Sequence, residues 1–337
     1  MTWTPLHAQL HQTLRQRTLL PARERLLVAV SGGQDSLCLL ALLKDLQPRW
    51  HWHLAIGHCD HRWATDVGLA AHVAEIARQF QVPFHLKTAA EPIAATEAAA
   101  RQWRYQALTE LAVAADCPHV VVAHTQTDRA ETLLYNLIRG TGTDGLQALA
   151  WERLLLGDVR LVRPLLNISR ARTGEFCQQR QLPVWEDAVN ADLRFARNRL
   201  RAEVFPYLRT HFNPQVEAAL AQTAEILQAE VACLGDLSYE LATAAIAPLP
   251  SEVRGYRDEQ LDRQTLRAAP IALQRRTLRI FLQRHGQRTP TFSQIEQLVT
   301  LIDAPNGSRT SSLAAIGGAY AEVVGDWIRL QAKPHKP

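Results

Sequence analysis

Lysine is nearly missing. Of the 37 basic residues in this 337-residue chain only Lys44, Lys87, Lys333 and Lys336 are lysine, and the other 33 are arginine. Arginine offers a planar fork for phosphates and a flat face for stacking on bases. A genome-wide arginine preference yields the same count, so composition leaves both readings open. Cysteine is scarce, and Cys38, Cys59, Cys117, Cys177 and Cys233 include no Cys-x-x-Cys spacing, so neither a zinc site nor a disulfide framework is suggested. No run approaches the ~18 apolar residues of a membrane span. No basic-then-apolar leader is present either, and the spacing of Leu6, Leu10 and Leu14 predicts one face of a short opening helix. The expectation is a cytoplasmic protein with buried thiols and no membrane segment. At 47% hydrophobic residues the chain can fill real cores, and its length is comfortable for two domains. Net charge is only +4, yet residues 253–288 hold nine arginines against Asp258, Glu259 and Asp262, a local excess of +6 on a remainder of −2. That asymmetry points to a polyanionic partner held partly by the C-terminal region.

What the chain does have is a short apolar run that breaks into a glycine turn. Leu26 to Val30 predicts a buried strand, Ser31-Gly32-Gly33 a sharp turn, and Gln34-Asp35-Ser36 the start of a helix with Leu39, Leu40, Leu42, Leu43 and Leu46 at helical spacing. Asp35 or Ser36 is the expected N-cap. Bare N–H groups and a helix dipole converging on one spot make an anion site. It is not a Walker A loop, since no Gly-Lys-Ser/Thr follows. Further strands are predicted at Leu54–Gly57, Phe84–Thr88 and His119–Ala123, with helices at 66–80, 95–115 and 128–139. This alternation predicts an α/β fold, a doubly wound and mostly parallel sheet. Ligands in such sheets sit beyond the carboxyl ends of the strands. The polar motifs follow strands as that rule requires: Ser31–Ser36, then His58-Cys-Asp60-His61-Arg62, then His124-Thr-Gln-Thr-Asp128-Arg-Ala-Glu131.

Asp128 followed three residues later by Glu131 is a common capping-box arrangement. The same spacing puts both carboxylates on one face of the first helical turn. There Asp35 and Asp128 could share a Mg²⁺ bridging phosphates, and Glu131 could receive a cationic substrate. Glu97, Arg101, Arg104 and Tyr105 share a helix, where ion pairing on a solvated face is the plain account. Gly140-Thr-Gly142-Thr-Asp-Gly145 matches a dinucleotide fingerprint in letters, but it ends a helix instead of following a strand, which excludes hydride transfer at that point. Arg194, Arg197, Arg199, Arg201 and Arg209 face a single acid, Glu203, with Phe195 among them. This is either a solvated basic helix or a contact to a phosphate backbone.

Ser31-Gly-Gly-x-Asp-Ser36 resembles the ATP loop of the N-type ATP pyrophosphatases. Glu97-Ala-Ala-Ala-Arg-x-x-Arg104-Tyr, Arg163-Pro-Leu-Leu, Trp185-Glu-Asp187, Arg197-Asn-x-x-Arg201 and Phe205-Pro-x-Leu, in that order, resemble the bacterial tRNA(Ile)-lysidine synthetase family over residues 24–215. The resemblance implies ATP on Ser31, Gly32, Gly33, Gln34, Asp35 and Ser36, with His58 at the nucleotide and Mg²⁺ on Asp35 and Asp128. It also implies Arg104 and Arg199 at phosphate or transition-state charge and Glu131 at the amine of free lysine. The implied reaction ligates lysine to C2 of the wobble cytidine of tRNA(Ile) with a CAU anticodon, through an adenylated base, releasing pyrophosphate and AMP. The alternatives are a tRNA thiolase, for which the usual cysteine pair has no evident match, or another adenylating synthetase of the superfamily. Residues 1–212 are expected to form the catalytic domain and 213–337 a mainly helical, tRNA-contacting one. The length leaves no room for the further C-terminal domain of longer family members, so some tRNA contacts are expected to be made differently. A homodimer is left open.

Overall fold

The computed structural model describes residues 3–94, 96–185, 192–250, 258–286 and 288–332. Two compact units divide the chain, residues 1–228 and 229–337. The first unit is built on a six-stranded sheet. β1 (Arg25–Ala29), β2 (His53–Asp60), β3 (Phe84–Thr88), β4 (His119–Val121), β5 (Glu152–Leu154) and β6 (Arg160–Val162) stand in the order β3-β2-β1-β4-β6-β5. All pairings are parallel except β5 with β6. Helices α1 (Pro5–Gln16), α2 (Gln34–Trp50), α3 (Leu69–Phe80), α4 (Glu97–Ala114), α5 (Gln126–Ile138), α6 (Thr143–Leu146), α7 (Arg170–Gln179), α8 (Ala196–Arg199) and α9 (Phe205–His211) accompany it. The long helix α10 (Val216–Ala245) begins in this unit.

The period of two in the strands explains the layering. Leu26, Val28, Leu54, Ile56, Val121 and Val162 join a core with leucines of α1 and α2 and with Phe176 of α7. Their neighbours Leu27, Ala55, Val120 and Leu161 face the other way, onto Leu108, Leu111 and Ala112 of α4. Apolar residues on both faces make the strands near-continuous hydrophobic runs, as a covered parallel sheet requires. The predicted doubly wound sheet is therefore present, and the strands predicted at 84–88 and the opening helix stand where the spacing put them. The glycine-rich segment 140–145 does follow a helix: α5 ends at Ile138, and Gly140 turns the chain at φ +77°.

In the second unit α11 (Arg263–Arg267), α12 (Ile271–His285) and α13 (Phe292–Leu301) pack with an antiparallel sheet. Its strands β7 (Ile246–Pro248), β8 (Glu259–Asp262), β9 (Tyr320–Val324) and β10 (Trp327–Gln331) run in the order β7-β8-β10-β9. The expected mainly helical unit therefore also carries a sheet, of which β7 and β8 are three and four residues long and too short for a periodic signal. Leu266, Leu278, Phe281, Leu298, Val323 and Ile328 form its core. No described helix is long and apolar enough to cross a membrane.

Candidate active site

β1 and β4 lie side by side, Val28 opposite Val121, and the sheet grows outward in opposite directions from this pair. A crevice opens beyond the carboxyl ends at such a switch point. The two loops that leave those ends carry the Ser31–Ser36 and His124–Glu131 motifs.

After β1 the chain turns at Gly32 with φ +85°, where a Cβ would lie 2.7 Å from Leu69 Cδ1 and 3.3 Å from Trp185 Cβ. Glycine is needed both for the dihedral and for this close approach. The Trp185 amide donates to the Gly32 carbonyl at 2.9 Å, so Trp185 of the Trp-Glu-Asp run braces the loop; Glu186 and Asp187 lie outside the described residues. The N-cap of α2 is Gly33, with no side-chain capping bond, instead of the expected Asp35 or Ser36. The Ser36 hydroxyl folds back, donating to the Gly33 carbonyl at 2.8 Å and accepting from the Ser31 amide at 3.2 Å. Among the described residues nothing accepts from the amides of Gly32, Gly33 or Gln34. These are orphan donors at a helix start, where the dipole favours an anion.

Asp35 is held from α7. Its Oδ2 accepts from Arg170 Nη1 at 2.9 Å, and the Thr173 hydroxyl donates to Oδ1. Gln34 Nε2 donates to the Arg170 carbonyl at 2.8 Å, and the Arg170 amide donates to Thr127 Oγ1 of the second loop at 3.3 Å. Arg170 and Thr173 thus tie the two loops together. Nothing in their local pattern marks them, because their role arises from packing between elements distant in the chain.

Asp128 is the third residue of α5. The capping box is Thr125 with Asp128, not Asp128 with Glu131: the Thr125 amide and hydroxyl donate to Asp128 Oδ2 at 2.7 and 2.8 Å, and the Asp128 amide donates to Thr125 Oγ1 at 3.3 Å. Asp128 Oδ1 stands 3.5 Å from the Arg201 guanidinium. Glu131, 1% exposed, receives the same guanidinium through two bonds of 2.7 and 2.9 Å. Arg201 was visible in the sequence only as the end of the Arg-Asn-x-x-Arg run, and its partnership with Glu131 could not be seen.

The electrostatics separate the three carboxyls. Burial raises Asp35 above the usual carboxylate range; Arg170 and Thr173 offset part of this, and the nearby Asp128 charge adds to it. Burial also works against the Asp128 charge, but His124, the Thr125 bonds and Arg201 outweigh it and hold the carboxyl low. Burial lifts Glu131 against the pull of Arg201. Asp35 and Asp128 therefore disfavour one another's charge, the usual condition of two carboxylates that share a hard cation. Among the described residues no group of three His, Cys, Asp or Glu side chains is placed to hold a metal. A cation between these two would complete its shell with ligand oxygens and water.

With this geometry in view, the comparisons with known proteins are specific. Residues 4–208 match the family profile of the PP-loop domain, and residues 261–319 that of the TilS substrate binding domain. The tRNA(Ile)-lysidine synthases of Nostoc sp. and Synechocystis sp. are each 52% identical to the chain over 98% of both lengths. The chain belongs to the tRNA(Ile)-lysidine synthase family. It is accordingly a ligase forming a carbon–nitrogen bond. A solved U34-tRNA thiolase from Methanococcus maripaludis shares the fold, with a TM-score of 0.55 at 16% identity over 66% of this chain and 77% of that one.

The remaining expected residues of the lysidine synthase site are placed as follows. His58, 3% exposed, bonds the Val30 carbonyl through Nδ1 at 2.7 Å, and burial keeps its ring neutral while it ties the end of β2 to β1. His61 stacks on Trp63 with centroids 4.6 Å apart, and burial pushes it down to about 4. Arg104 is exposed beside the end of β2, near Cys59 and His61. Arg199 is exposed and donates to the carbonyls of Leu193 and Arg194 at 2.7 and 3.0 Å, so in this structure the guanidinium that meets the carboxylates is that of Arg201. Burial pushes the Cys59 thiol up to about 12, the opposite of what a sulfur nucleophile needs. Cys38 and Cys177, distant in sequence, meet behind the loop but are 0% and 3% exposed within the core.

Proposed function

We propose that this crevice performs the two steps of lysidine formation on a tRNA. ATP binds with its phosphates on the free amides of Gly32, Gly33 and Gln34, beside Ser31 and Ser36, and His58 lines the nucleotide's side of the crevice. Asp35 and Asp128 would hold a Mg²⁺, which supplies charge neutralisation on the phosphates when bound. The wobble-cytidine C2 oxygen attacks the α-phosphorus, pyrophosphate leaves, and the base carries AMP. The ε-amine of lysine then displaces AMP at C2. Activation is needed because a base oxygen is a poor leaving group and AMP a good one. Orientation and electrostatic stabilisation do most of the work.

Within this scheme Glu131 receives the incoming amine in exchange for part of the Arg201 fork, and its raised affinity for a proton suits it to take one from the ammonium. Arg104 and Arg199, both exposed at the mouth, are available to the tRNA and to transition-state charge. Residues 213–337 contact the tRNA, a reading supported by the substrate-binding profile matched there. The observation that carries the proposal is the pairing of unengaged loop amides with two mutually repelling carboxylates at one switch point. The test is incorporation of radiolabelled lysine into an unmodified CAU-anticodon tRNA(Ile) in the presence of ATP and Mg²⁺. Label in the tRNA, with AMP and pyrophosphate released one for one, is the expected result. Absence of label from a folded protein would remove it.

A thiolase reading finds no support in the thiols. The nearest candidate, Cys59, is a half-buried, protonated side chain whose sulfur faces the Arg104 carbonyl at 3.9 Å.

A further inference from the structure

Between the two carboxylates of the site, helix α5 carries a charged side chain that the scheme above leaves unused. Arg129 is 2% exposed. Its Nη1 donates to Glu225 Oε2 of α10, and its Nη2 donates to Gln228 Oε1 of the same helix at 2.9 Å. The Trp151 indole donates to the same Glu225 oxygen at 2.8 Å, and Arg17, just past the end of α1, pairs with Oε1 at 2.7 Å. The Arg17 guanidinium also lies 4.0 Å from the Trp151 ring centroid. Burial works against the charge on Glu225, but Arg129, Trp151 and Arg17 outweigh it and hold the carboxyl low. One carboxylate thus joins α10, α5, the approach to β5 and the end of α1.

Successive residues of a helix are turned by about 100°, so Arg129 leaves α5 about 100° from Asp128 and about 160° from Glu131. Its fork grips the side of α5 turned away from Glu131. Other contacts locate the helix without fixing its roll. The Gln126 amide donates to the Ile168 carbonyl at 2.9 Å, and Thr127 Oγ1 accepts from the Arg170 amide, both at the first turn. Ala130 packs with Leu200 and Phe205, and apolar contact of this kind is non-directional. The box of Thr125 and Asp128 is internal to the helix. The Arg201 fork on Glu131 is as directional as that of Arg129, but in the proposed scheme part of it yields when the amine arrives. The hold on the opposite side stays.

We propose that Arg129 and Glu225 are positioning residues for lysine transfer: their bonds set the roll of α5, and with it the placement of Asp128 and Glu131, while Arg201 gives way to the amine. This rests on the proposed function and adds to it two residues that touch no reacting atom. A rotation of α5 swings both carboxylates together, and a misplacement of about 1 Å costs about 100-fold in rate.

The test uses the full chain with tRNA(Ile), ATP and Mg²⁺, and reads KM and kcat for lysine beside the folded fraction from circular dichroism. Glu225→Gln keeps the shape of the side chain and one acceptor oxygen. It should lower kcat/KM for lysine about 100-fold, with KM itself raised about tenfold. Arg129→Lys, which keeps one charged bond to Glu225, should recover most of what Arg129→Met loses. Gln228→Met removes only the Nη2 partner at a half-buried position, and should raise the KM for lysine about threefold; it serves if Glu225→Gln does not fold. A merely structural pair gives a different result: the maximal rate falls in step with the folded fraction, and KM for lysine stays where it was. That outcome would overturn the inference, as would a rise confined to the KM for tRNA. If the wild-type protein itself incorporates no lysine, the proposed function falls and this role with it, an outcome told apart from the others because it needs no variant.

Discussion

Two buried arginines, Arg263 of the second unit and Arg163 of the first, are held in different ways. In the second unit Arg263 is 7% exposed, and its guanidinium is spent on backbone: Nε bonds the Ile302 carbonyl at 3.0 Å, Nη1 that of Gly325 at 2.9 Å and Nη2 that of Ala304. Around it Arg267 pairs with Asp303, Arg275 with Glu296 and Arg309 with Glu322. Part of the basic excess expected for residues 253–288 is thus neutralised by Asp303 and Glu296 from outside that stretch. In the first unit Arg163 keeps an unpartnered Nε, Asp35 is half-buried near another acid, and three loop amides have no acceptor. A charge saturated by its own chain holds structure. A loop amide left wanting at a crevice is there for something that binds.

That contrast can be broken by mutation. The largest effect is expected from Asp35→Asn, which removes a carboxylate proposed to hold the metal while keeping its shape. Tthe ATP-dependent reaction should fall by about 10³-fold, the scale of losing a preorganised electrostatic partner. Binding of tRNA, followed by filter retention, should stay nearly intact, and a collapse of tRNA binding would show that the loop serves the RNA instead. Arg201→Met leaves Glu131 buried with no partner, which costs about 3–5 kcal/mol when one half of a buried pair is removed. A urea midpoint lowered accordingly, together with lost lysine incorporation, is the expected result. Arg263→Met should lower stability by about 3 kcal/mol, since three carbonyl partners are left unsatisfied. Its KM for ATP should be unchanged, which sharpens the division between structural and functional arginine.

A smaller effect comes from His61. Its ring is held down to about 4 by burial, against an ordinary value near 6.5. Between those values the unfolded chain takes up a proton that the folded ring refuses, so stability is full above about pH 6.5 and is lost as pH falls toward 4. The drop in urea midpoint from pH 7 to pH 5 should be larger in the wild type than in His61→Phe. The smallest is Cys59→Ser, expected to leave lysine incorporation within about twofold because a thiol held protonated takes no part. Loss of all activity there would revive sulfur chemistry.

Much of the frame was legible along the chain. The alternating apolar runs gave the parallel sheet, and each polar motif followed a strand because the backbone turns toward ligand only at strand ends. Ser31–Ser36 could be read as a phosphate-shaped turn from its small residues alone. Cap positions were less legible: Asp128 resembled an N-cap followed by Glu131, whereas Thr125 takes that place, since any of several polar residues in one turn can close a box. The short strands β7 and β8 carry too few residues for periodicity to register.

Sequence by itself determined the elements, the position of the glycine turn and the presence of Asp35, Asp128 and Glu131 at places where they could act, because these depend on spacing within one strand or one helical turn. Tertiary structure alone decided which cations answer them. Arg170 reaches Asp35 across 135 positions and Arg201 reaches Glu131 across 70, while Glu225 reaches Arg129 across 96. Partnerships of that kind are made by packing between faces of different elements, and a side chain's neighbours on another element leave no trace in its own local pattern.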